Sequence, residues 1–461
     1  MEKATAQRPA ARGELLELEI DSLAFGGRGV ARANGYVVFV SGALPGDRVR
    51  AEVTRSKRRF AEARTLELIR AGAERIPDSC LHAGEPCPGA PWQGLPYERQ
   101  LSHKRDQVAD ALRRIGGLEG FELEEIEPAL ERWRYRNKLE YSFGSDEEGE
   151  ATLGFHARGR WDRIVDVEDC MLASERGNAA RNEVREWARF ESIAAYDGRA
   201  GEGILRNLVV REGRRTGQLQ TRLITSPAHF PKPPVDLHTA IEGPSGGTDG
   251  PTGALGAELL REELCGLKLE ISHGAFFQTN TEMAERLYAV VGEYAGLSGS
   301  ERVFDLYCGI GTIGLTLAAR AGEVWGLEIV PEAIADAERN AERNGIGNAR
   351  FLAASARTGM RALIEQAGRA EVVVLDPPRA GLSQKIVRRV IECEARRIVY
   401  VSCNPTTLAP NAAQLLEAGY RLRRVRPIDM FPQTPHIECV ALFEKDQARP
   451  PARAEEATVG L

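Results

Sequence analysis

The sequence is poor in aromatic residues, which make up 6% of its 461 residues. That argues against a β-propeller or jelly roll built on repeated aromatic motifs. Eight cysteines are too few for a disulfide scaffold, so each is a candidate for core packing, metal ligation or nucleophilic chemistry. The uncharged apolar stretch Leu306 to Ala319 is too short to span a bilayer, and the polar segment Met1 to Arg12 has no signal-peptide core. We therefore expect a cytoplasmic protein with no membrane partner.

The sequence also has no large excess of charge of one sign. Its 61 basic and 67 acidic residues give a formal net charge of −6. A uniformly basic nucleic-acid coat is excluded, whereas a local basic patch is not. Hydrophobic residues at 43% and charged residues at 28% are typical of a globular protein and exclude wholesale disorder. The length indicates about three domains.

Residues 13–69 have the pattern of a small β-barrel with five short strands. Apolar or alternating runs at Leu16–Ile20, Tyr36–Val40 and Arg48–Val53 are separated by glycine-rich turns. Between residues 50 and 64 the chain has six basic residues and two acidic ones, Arg58 and Arg59 among the basic set. Such an edge suits a nucleic-acid backbone, and it equally suits a solvated strand edge protected by charge.

A second basic feature follows in residues 131–143. Its cations occupy alternate positions, namely Arg132, Arg134, Arg136 and Lys138. On a strand they share one face, where like charges repel unless an anion such as a phosphate backbone lies against them. We therefore interpret them as candidate RNA contacts. The alternative is ion pairing with carboxylates of the same chain.

Three further segments have distinct compositions. Residues 76–92 hold Cys80, His82 and Cys87, which with distant Cys170 indicate either a four-ligand metal site or buried structural cysteines. A helix is predicted from Tyr97 to Ile115. Residues 226–257 are rich in proline and glycine and predict a long loop or domain junction, and the tail beyond residue 445 has a disordered composition.

From residue 300 onward strands and helices alternate, which predicts a doubly wound α/β unit with a largely parallel sheet. The predicted strands are Val303–Leu306, Val324–Glu328, Val372–Leu375 and Ile398–Ser402. Predicted helices are Pro331–Asn344, which begins at a proline and stops before a glycine, and Ser383–Cys393.

A glycine-rich turn with Gly309 and Gly311 follows the first of these strands and opens a helix. Glu328 ends the next strand, where a carboxylate accepts ribose hydroxyls. These features predict a nucleoside-bearing cofactor, either NAD or S-adenosylmethionine. The leading Asp305 and Cys308 favour S-adenosylmethionine, because its cationic sulfonium and amino groups attract a carboxylate, and Asp376 at a later strand end adds a further carboxylate to the same edge.

Two residues are candidates for the reacting groups. Cys403 follows a strand at the same sheet edge, where a thiolate is a candidate nucleophile rather than a core filler. Glu438 begins an apolar stretch, where desolvation tunes a carboxylate as a general base. The alternative for Glu438 is an exposed position on an alternating strand.

Several segments together resemble one known family. They are Tyr135-Arg136-Asn137-Lys138, Leu153-Gly-Phe-His156, Phe276-Phe-Gln278-Thr-Asn280, Asp305-Leu-Tyr-Cys-Gly-Ile-Gly311, Leu375-Asp376-Pro-Pro-Arg379, Ser402-Cys403-Asn-Pro405 and His436-Ile-Glu438. This set resembles the RNA uracil-C5 methyltransferases, and residues 13–69 resemble the TRAM domain that many members carry. The resemblance covers nearly the whole chain.

The resemblance implies a TRAM-like barrel over 13–69, a mixed α+β central domain over 70–262, a Rossmann-like methyltransferase domain over 263–445 and a disordered tail over 446–461. It implies that Cys403 is the nucleophile and Glu438 the base. By the same resemblance, Gln278, Tyr307, Glu328 and Asp376 contact S-adenosylmethionine. The uridine must leave its stack to reach the nucleophile, so a flipped or single-stranded target is expected.

The sequence departs from the family pattern at its iron–sulfur motif. The family commonly ligates a [4Fe–4S] cluster through four cysteines, of which Cys80, Cys87 and Cys170 match three. Ala90 stands in place of the fourth. The cluster is then three-ligated, completed by another group such as His82, or absent.

Three functions remain open on the sequence alone. The first is RNA uracil-C5 methylation by a monomer, with ribosomal RNA favoured over transfer RNA because a TRAM domain plus a cysteine cluster is more typical of the ribosomal enzymes. The second is an amino-group methyltransferase, since Asp376-Pro-Pro resembles the loop of those enzymes. The third is a non-catalytic RNA-binding protein.

Overall fold

The computed structural model describes residues 10–33, 35–229, 231, 233, 237–242, 248–254 and 258–446. Its architecture is mixed α/β, with two antiparallel-rich sheets followed by a largely parallel one, which confirms the predicted fold class. The predicted disordered tail lies, apart from Asp446, outside the described residues. Among the residues that are described, no helix has the length and hydropathy needed to cross a membrane.

The N-terminal sheet has six strands in the order β1-β5-β6-β4-β3-β2. They are β1 (Leu15–Glu19), β2 (Ser22–Leu23), β3 (Gly29–Ala33), β4 (Tyr36–Ser41), β5 (Arg48–Ser56) and β6 (Phe60–Arg70). Alternate residues of β4 are buried, as the period of two predicts. Small side chains such as Ala31, Ala51 and Ala61 fill the interior, so a narrow sheet closes tightly around its core.

The second sheet has seven strands in the order β10-β9-β8-β11-β12-β13-β14. Before it come α1 (Tyr97–Asp110), a π-helical extension (Ala111–Ile115) and β7 (Glu122–Leu123). The sheet elements are β8 (Lys138–Ser145), β9 (Ala151–Ala157), β10 (Arg160–Asp166), α2 (Glu175–Phe190), β11 (Leu205–Glu212), β12 (Leu219–Thr225), β13 (Leu237–Glu242) and β14 (Thr248–Ala254). Helix α2 begins at Ser174, whose side chain accepts a hydrogen bond from the Gly177 N–H, and packs on β9 and β11.

Two predictions for this region are wrong. The expected strand over 131–143 begins only at Lys138, because Arg134 adopts a left-handed φ of 57° and breaks the extended backbone before it. The four cations therefore do not share one strand face. The expected loop over 226–257 contains β13, which pairs in parallel with β12, and β14, which pairs antiparallel with β13. Backbone pairing at the sheet edge outweighs the proline- and glycine-rich composition.

The third sheet has the order β19-β18-β17-β20-β21-β23-β22-β7, in which the first five strands are parallel. A hairpin of β15 (Leu259–Leu264) and β16 (Leu267–Ser272) precedes it. The remaining elements are α3 (Thr281–Ala295), β17 (Arg302–Leu306), α4 (Thr312–Ala318), β18 (Glu323–Glu328), α5 (Pro331–Arg343), β19 (Ala349–Ala353), α6 (Ala356–Ala367), β20 (Val372–Leu375), α7 (Gln384–Glu392), β21 (Arg397–Ser402), α8 (Pro405–Glu417), β22 (Tyr420–Ile428) and β23 (Glu438–Lys445). This is the predicted doubly wound unit.

The domain boundary predicted from the sequence, between residues 262 and 263, does not coincide with a gap in the hydrophobic packing. Leu260 and Leu264 of β15 lie in one core with α3, so the boundary cuts through a single packed hairpin. Val108 and Leu112, which the sequence assigned to the central segment, lie in the core of the third sheet with β20 to β23. Helix α1 and its π-helical extension therefore pack as part of the doubly wound unit.

Candidate active site

Asp305 lies at the carboxyl end of β17 and is fully buried. Its Oδ2 accepts a hydrogen bond of 2.8 Å from the Gly314 N–H, and its Oδ1 is buried without a partner among the described residues. Burial, together with the charge of Glu328, raises the pKa of Asp305 to about 7. A buried carboxylate with an unpaired oxygen favours a cationic ligand at this edge.

The turn after β17 approaches Glu328 at the end of β18. Tyr307 has a φ of 66° and its N–H donates to the Leu327 carbonyl at 2.8 Å, which bends the chain around the sheet edge. The Gly309 N–H donates to Glu328 Oε2 at 3.3 Å, and nothing lies within 4 Å of the place where a Gly309 Cβ would be. Gly311, with a φ of 83°, precedes α4. The turn thus leaves open space beside an oriented carboxylate.

Asp376 follows β20, the neighbour of β17 in the sheet. Burial raises its pKa to about 7, and the charge of Asp305 adds to that effect. Three carboxylates, those of Asp305, Glu328 and Asp376, are therefore brought to one edge, as the sequence predicted from their strand-end positions. Ligands in open α/β sheets bind at this edge.

Gln278 is buried in the segment before α3. Its backbone carbonyl accepts a 2.9 Å hydrogen bond from Asn137 Nδ2, which also donates to Thr281 Oγ1 at 2.9 Å. Asn280 begins α3, accepting a hydrogen bond from the Met283 N–H and donating one to the Met430 carbonyl. The segment is thereby fixed between the second sheet and the loop that follows β22.

Cys403 and Glu438 are brought side by side by strand register. In the antiparallel pair of β21 and β23, the last paired residues are Ser402 and Cys439, and Cys403 and Glu438 are the next residues beyond that pair. Glu438 is buried, and burial raises its pKa well above the usual range, with Asp376 contributing. Burial and the charge of Glu438 raise the pKa of Cys403 to about 12. A thiol and a carboxyl group thus lie near each other at the carboxyl edge of the sheet.

The sequence did not single out Arg379 or His436, although both lie in motifs that it did identify. The positive charge of Arg379 lowers the pKa of both Cys403 and Glu438, against the dominant effect of burial. The pKa of His436 is lowered to about 4 by burial and by the charges of Arg379 and Arg136. The signal for Arg379 was available, since it directly follows Asp376-Pro-Pro in the sequence.

Comparison with known proteins identifies the chain. Residues 260–446 match the family described as tRNA (Uracil-5-)-methyltransferase, and residues 9–66 match the TRAM domain. A protein of Halalkalibacterium halodurans described as an uncharacterized RNA methyltransferase is 38% identical, with 95% of this chain and 98% of that protein covered. One from Caldanaerobacter subterraneus with the same description is 36% identical, with coverage of 94% and 100%. The chain belongs to the RNA uracil-C5 methyltransferase family.

A solved structure is similar over almost the whole length. The Pyrococcus abyssi tRNA (uracil-54, C5)-methyltransferase, in complex with S-adenosyl-L-homocysteine, has a TM-score of 0.75 and 29% identity. The match covers 93% of this chain and 100% of that one. This methyltransferase is accordingly an S-adenosylmethionine-dependent enzyme whose substrate is RNA.

The motif Tyr135-Arg136-Asn137-Lys138 of this methyltransferase joins the second sheet to the catalytic unit. The Tyr135 hydroxyl donates to the Pro432 carbonyl at 3.0 Å, while Asn137 holds the Gln278 segment. Arg136 has no ion pair among the described residues and its guanidinium lies 5.7 Å from the Phe431 ring. The aromatic and amide residues of the motif thus fix the two units together.

The other predicted RNA contacts are not brought together. Arg134 forms two hydrogen bonds of 2.6 Å with Asp169, so for this residue the alternative of pairing within the chain is correct. Arg132 lies over the Tyr97 ring, and burial lowers the pKa of half-buried Lys138. Arg58 and Arg59 are exposed in the turn between β5 and β6. Since Phe60, the next residue, pairs with Val37 near the start of β4, this turn lies at the opposite end of β4 from Ser41.

The residues of the cysteine loop do not fit a four-cysteine cluster. Ala90 carries no donor atom, and His82 Nε2 already accepts a 3.3 Å hydrogen bond from the Glu168 N–H. The Cys80 sulfur lies 3.9 Å from His82 Nδ1, and no group of three or more candidate ligands poised for a metal ion occurs in the described part of the chain. Protein contacts hold the loop instead, including the bonds from Arg158 to the Cys87 carbonyl.

A cleft with a volume of about 410 Å³ lies where the barrel, the cysteine loop and the second sheet meet the loop that leads into β23. Its lining includes Arg28, Arg136, Arg158, Phe155 and His436. Of the three arginines, only Arg28 has a carboxylate partner among the described residues, Glu62 at 3.1 Å. The cleft is therefore electropositive, although the whole chain is acidic.

Proposed function

We propose that this enzyme methylates C5 of a uridine in RNA through a covalent bond between Cys403 and C6 of the uracil. The observation that supports this proposal is the register of β21 and β23, whose last pair, Ser402 with Cys439, leaves Cys403 and Glu438 at neighbouring strand ends. An amino-group methyltransferase needs neither a thiol nor a base at those positions. A non-catalytic RNA-binding protein likewise has no use for them.

Uracil C5 is too weak a nucleophile to take a methyl group unaided. In the proposed reaction the Cys403 thiolate donates an electron pair to C6, and the C5=C6 bond becomes an enolate with electron density at C5. S-adenosylmethionine, when bound, supplies the electrophilic methyl group. The Glu438 carboxylate then removes the C5 proton, the bond from sulfur to C6 breaks, and the double bond and the thiolate are restored.

The carboxylate edge fits that cofactor. The unpartnered Asp305 Oδ1 and the raised pKa values of Asp305 and Asp376 are features that a bound cation relieves. Glu328 accepts backbone hydrogen bonds from Ile329 at 2.6 Å and Val330 at 3.0 Å, which orients it to accept hydroxyl groups. Gln278, Tyr307, Gly309 and Gly311 are the remaining proposed contacts.

The thiol must be activated within the complex, because its pKa of about 12 leaves almost no thiolate at neutral pH. Two negative neighbours, Glu438 and Asp376, contribute to that raised value. Neutralisation of these charges by a cationic ligand lowers the pKa of Cys403. Burial is the larger cause of the raised pKa and remains, so we propose that binding of the methyl donor assists formation of the thiolate.

The first test replaces the two reacting groups. We expect Cys403→Ala to abolish 5-methyluridine formation and to keep binding of S-adenosylmethionine, because the thiol is not needed to hold the donor. Glu438→Gln should accumulate a covalent RNA–protein adduct, because C5 keeps its proton after methylation. Denaturing gels with labelled RNA and calorimetry with the donor measure both outcomes.

Cys265→Ala is the matched control, since this half-buried thiol lies between β15 and β16. It should retain activity. RNA bearing 5-fluorouridine, incubated with the methyl donor, should become trapped on the wild-type enzyme and not on Cys403→Ala. Activity in Cys403→Ala, or a failure of trapping with the wild type, would refute the covalent route.

For the RNA class we propose ribosomal RNA, on the sequence argument that a TRAM domain accompanies the family fold. The second candidate is transfer RNA, which is favoured by the Pyrococcus abyssi enzyme named for tRNA uracil-54. The preference for ribosomal RNA also rested on the presence of a cysteine cluster. Because the residues of the cysteine loop do not fit a four-cysteine cluster, that support is weaker. Nucleoside mass spectrometry of both RNA classes from cells lacking the protein decides between them by the 5-methyluridine that disappears.

A further inference from the structure

The tip of the β9–β10 hairpin carries a large apolar side chain exposed to solvent. Trp161 is 65% exposed, and the guanidinium of Arg199 lies over its ring at 5.1 Å from the centroid. Most exposed hydrophobic residues need no explanation, but a tryptophan covered on one face by an arginine presents a flat surface on the other.

The backbone holds Trp161 outward. Arg160 pairs with Ala157 and Ile164 pairs with His156, so the residues between them on β10 have no partners on β9. This large irregularity lies in an edge strand of the second sheet. Bulges at edges re-aim side chains, and here the bulge turns Trp161 away from the core.

The charges around the ring favour a polyanion. Asp162 pairs with Arg160 at 2.8 Å and with Arg199 at 3.2 Å, so one carboxylate holds two cations in place. Arg163 is exposed and has no ion pair within the described ranges. Three arginines lie around the exposed ring against two aspartates, Asp162 and also Asp197, whose Oδ1 accepts a 2.7 Å hydrogen bond from the Arg199 N–H, so the local charge is still positive.

We propose that Trp161, backed by Arg199, is a stacking platform for an unpaired base of the RNA substrate. The platform rests on the proposed function, which requires RNA with an unstacked uridine. Unpaired bases stack on aromatic and guanidinium planes, and the flanking arginines suit the phosphates on either side of such a base.

The position of the platform supports the same conclusion. Arg158, which lines the electropositive cleft, precedes Trp161 by three residues, a span of at most about 11 Å. A strand that enters the cleft can therefore continue over the hairpin tip. A protein partner would be expected to bury a wider apolar patch, whereas the residues next to Trp161 are charged.

The test measures the dissociation constant of the full-length protein for a short labelled single-stranded RNA. Trp161→Ala should weaken binding between about fivefold and a hundredfold, the range for loss of one stacked base. Trp161→Phe should keep most of the affinity and lose the RNA-dependent quenching of tryptophan fluorescence. A duplex of the same sequence should bind both variants and the wild type with smaller differences.

Phe190→Ala is the matched control, because Phe190 is 85% exposed at the end of α2, far along the chain from the hairpin. It should bind RNA as the wild type does. Equal affinity of Trp161→Ala and the wild type would overturn the platform while leaving methyl transfer intact. An equal loss of binding to heparin would also overturn it, by showing a charge effect alone. Absence of RNA methylation by the wild type would instead refute the proposed function.

Discussion

At the residue scale, the buried carboxyl groups of Asp305 and Asp376 at the cofactor edge form no ion pair with any cation in the described part of the chain. Asp305 and Asp376 both have a pKa of about 7, well above the usual value near 3.9. Between these values the folded protein binds more protons than the unfolded chain, so its stability falls as pH rises. Above pH 7 these carboxyl groups are ionised, which makes the ligand-free protein less stable, but the ionised carboxylates are also the form that attracts a cation.

Asp305→Asn should raise the melting temperature of the ligand-free enzyme, and by more at pH 8 than at pH 5. The amide still accepts the bond from Gly314 but carries no charge, which removes an ionisation cost of at most a few kcal/mol at the higher pH. Glu301→Gln is a control of opposite sign, because hydrogen bonds from Ser298 lower the pKa of Glu301 to about 2. It should destabilise the enzyme similarly at both pH values. A pH-independent effect of Asp305→Asn would contradict the assignment.

Individual residues were predictable where their position relative to a strand decides their environment. Asp305 lies at the carboxyl end of β17 and Cys403 directly follows β21, so both lie at the same edge of the sheet. Arg134 and Asn137 were not predictable in the same way, since their partners Asp169 and Gln278 lie 35 and 141 residues away. The alternating pattern of residues 131–143 identified the basic side chains, but it did not predict the contacts that this segment makes.

At the element scale, the N-terminal barrel directly contacts the loop that leads into β23. Gly27, in the turn before β3, has a φ of 85°, and a Cβ there would lie 2.7 Å from Pro435 Cβ. Pro435 belongs to the loop that leads into β23 and Glu438. The turn and the loop can therefore hold their positions only while residue 27 lacks a side chain.

Gly27→Ala should lower methyl transfer severalfold and lower the melting temperature, because the added methyl group displaces the loop before Glu438. Gly26→Ala is the matched control, since Gly26 has the same φ of 85° and nothing within 4 Å of a Cβ. Both variants carry the cost of a left-handed backbone. Only the difference between them reports on the contact with Pro435. Equal activity and stability of the two would show that the loop yields without consequence.

Elements with local end signals were predicted closely. The helix predicted over Pro331–Asn344 is observed at Pro331–Arg343, because proline at its start and glycine after its end act locally. The strands β13 and β14 were missed because their stability comes from backbone pairing, of β13 with β12 and of β14 with β13, which composition does not encode. The segment before Lys138 was misassigned because a single left-handed residue, Arg134, redirects the chain.

At the scale of the whole molecule, cations are concentrated in one cleft of a protein whose net charge is negative. The cleft joins three arginines from different parts of the chain, Arg28 from the barrel and Arg136 and Arg158 from the second sheet. Three barrel arginines outside the cleft are neutralised by neighbours, namely Arg48 by Glu17, Arg50 by Glu67 and Arg64 by Glu52. We therefore propose that the local charge of this cleft, and not the net charge of −6, determines where RNA binds.

Replacement of Arg28, Arg136 and Arg158 by alanine should weaken RNA binding and reduce its salt dependence. Each phosphate contact to a single strand contributes about 0.7 to the slope of log K against log salt, so the slope should fall by between about 1 and 2. The control replaces Arg48, Arg50 and Arg64, which removes the same three charges from pairs with Glu17, Glu67 and Glu52. Titrations at several salt concentrations measure both. If the two triple variants change the slope equally, net charge governs binding and the cleft has no special part in it, whereas a change confined to the first assigns the RNA path to the junction of barrel, second sheet and catalytic loop.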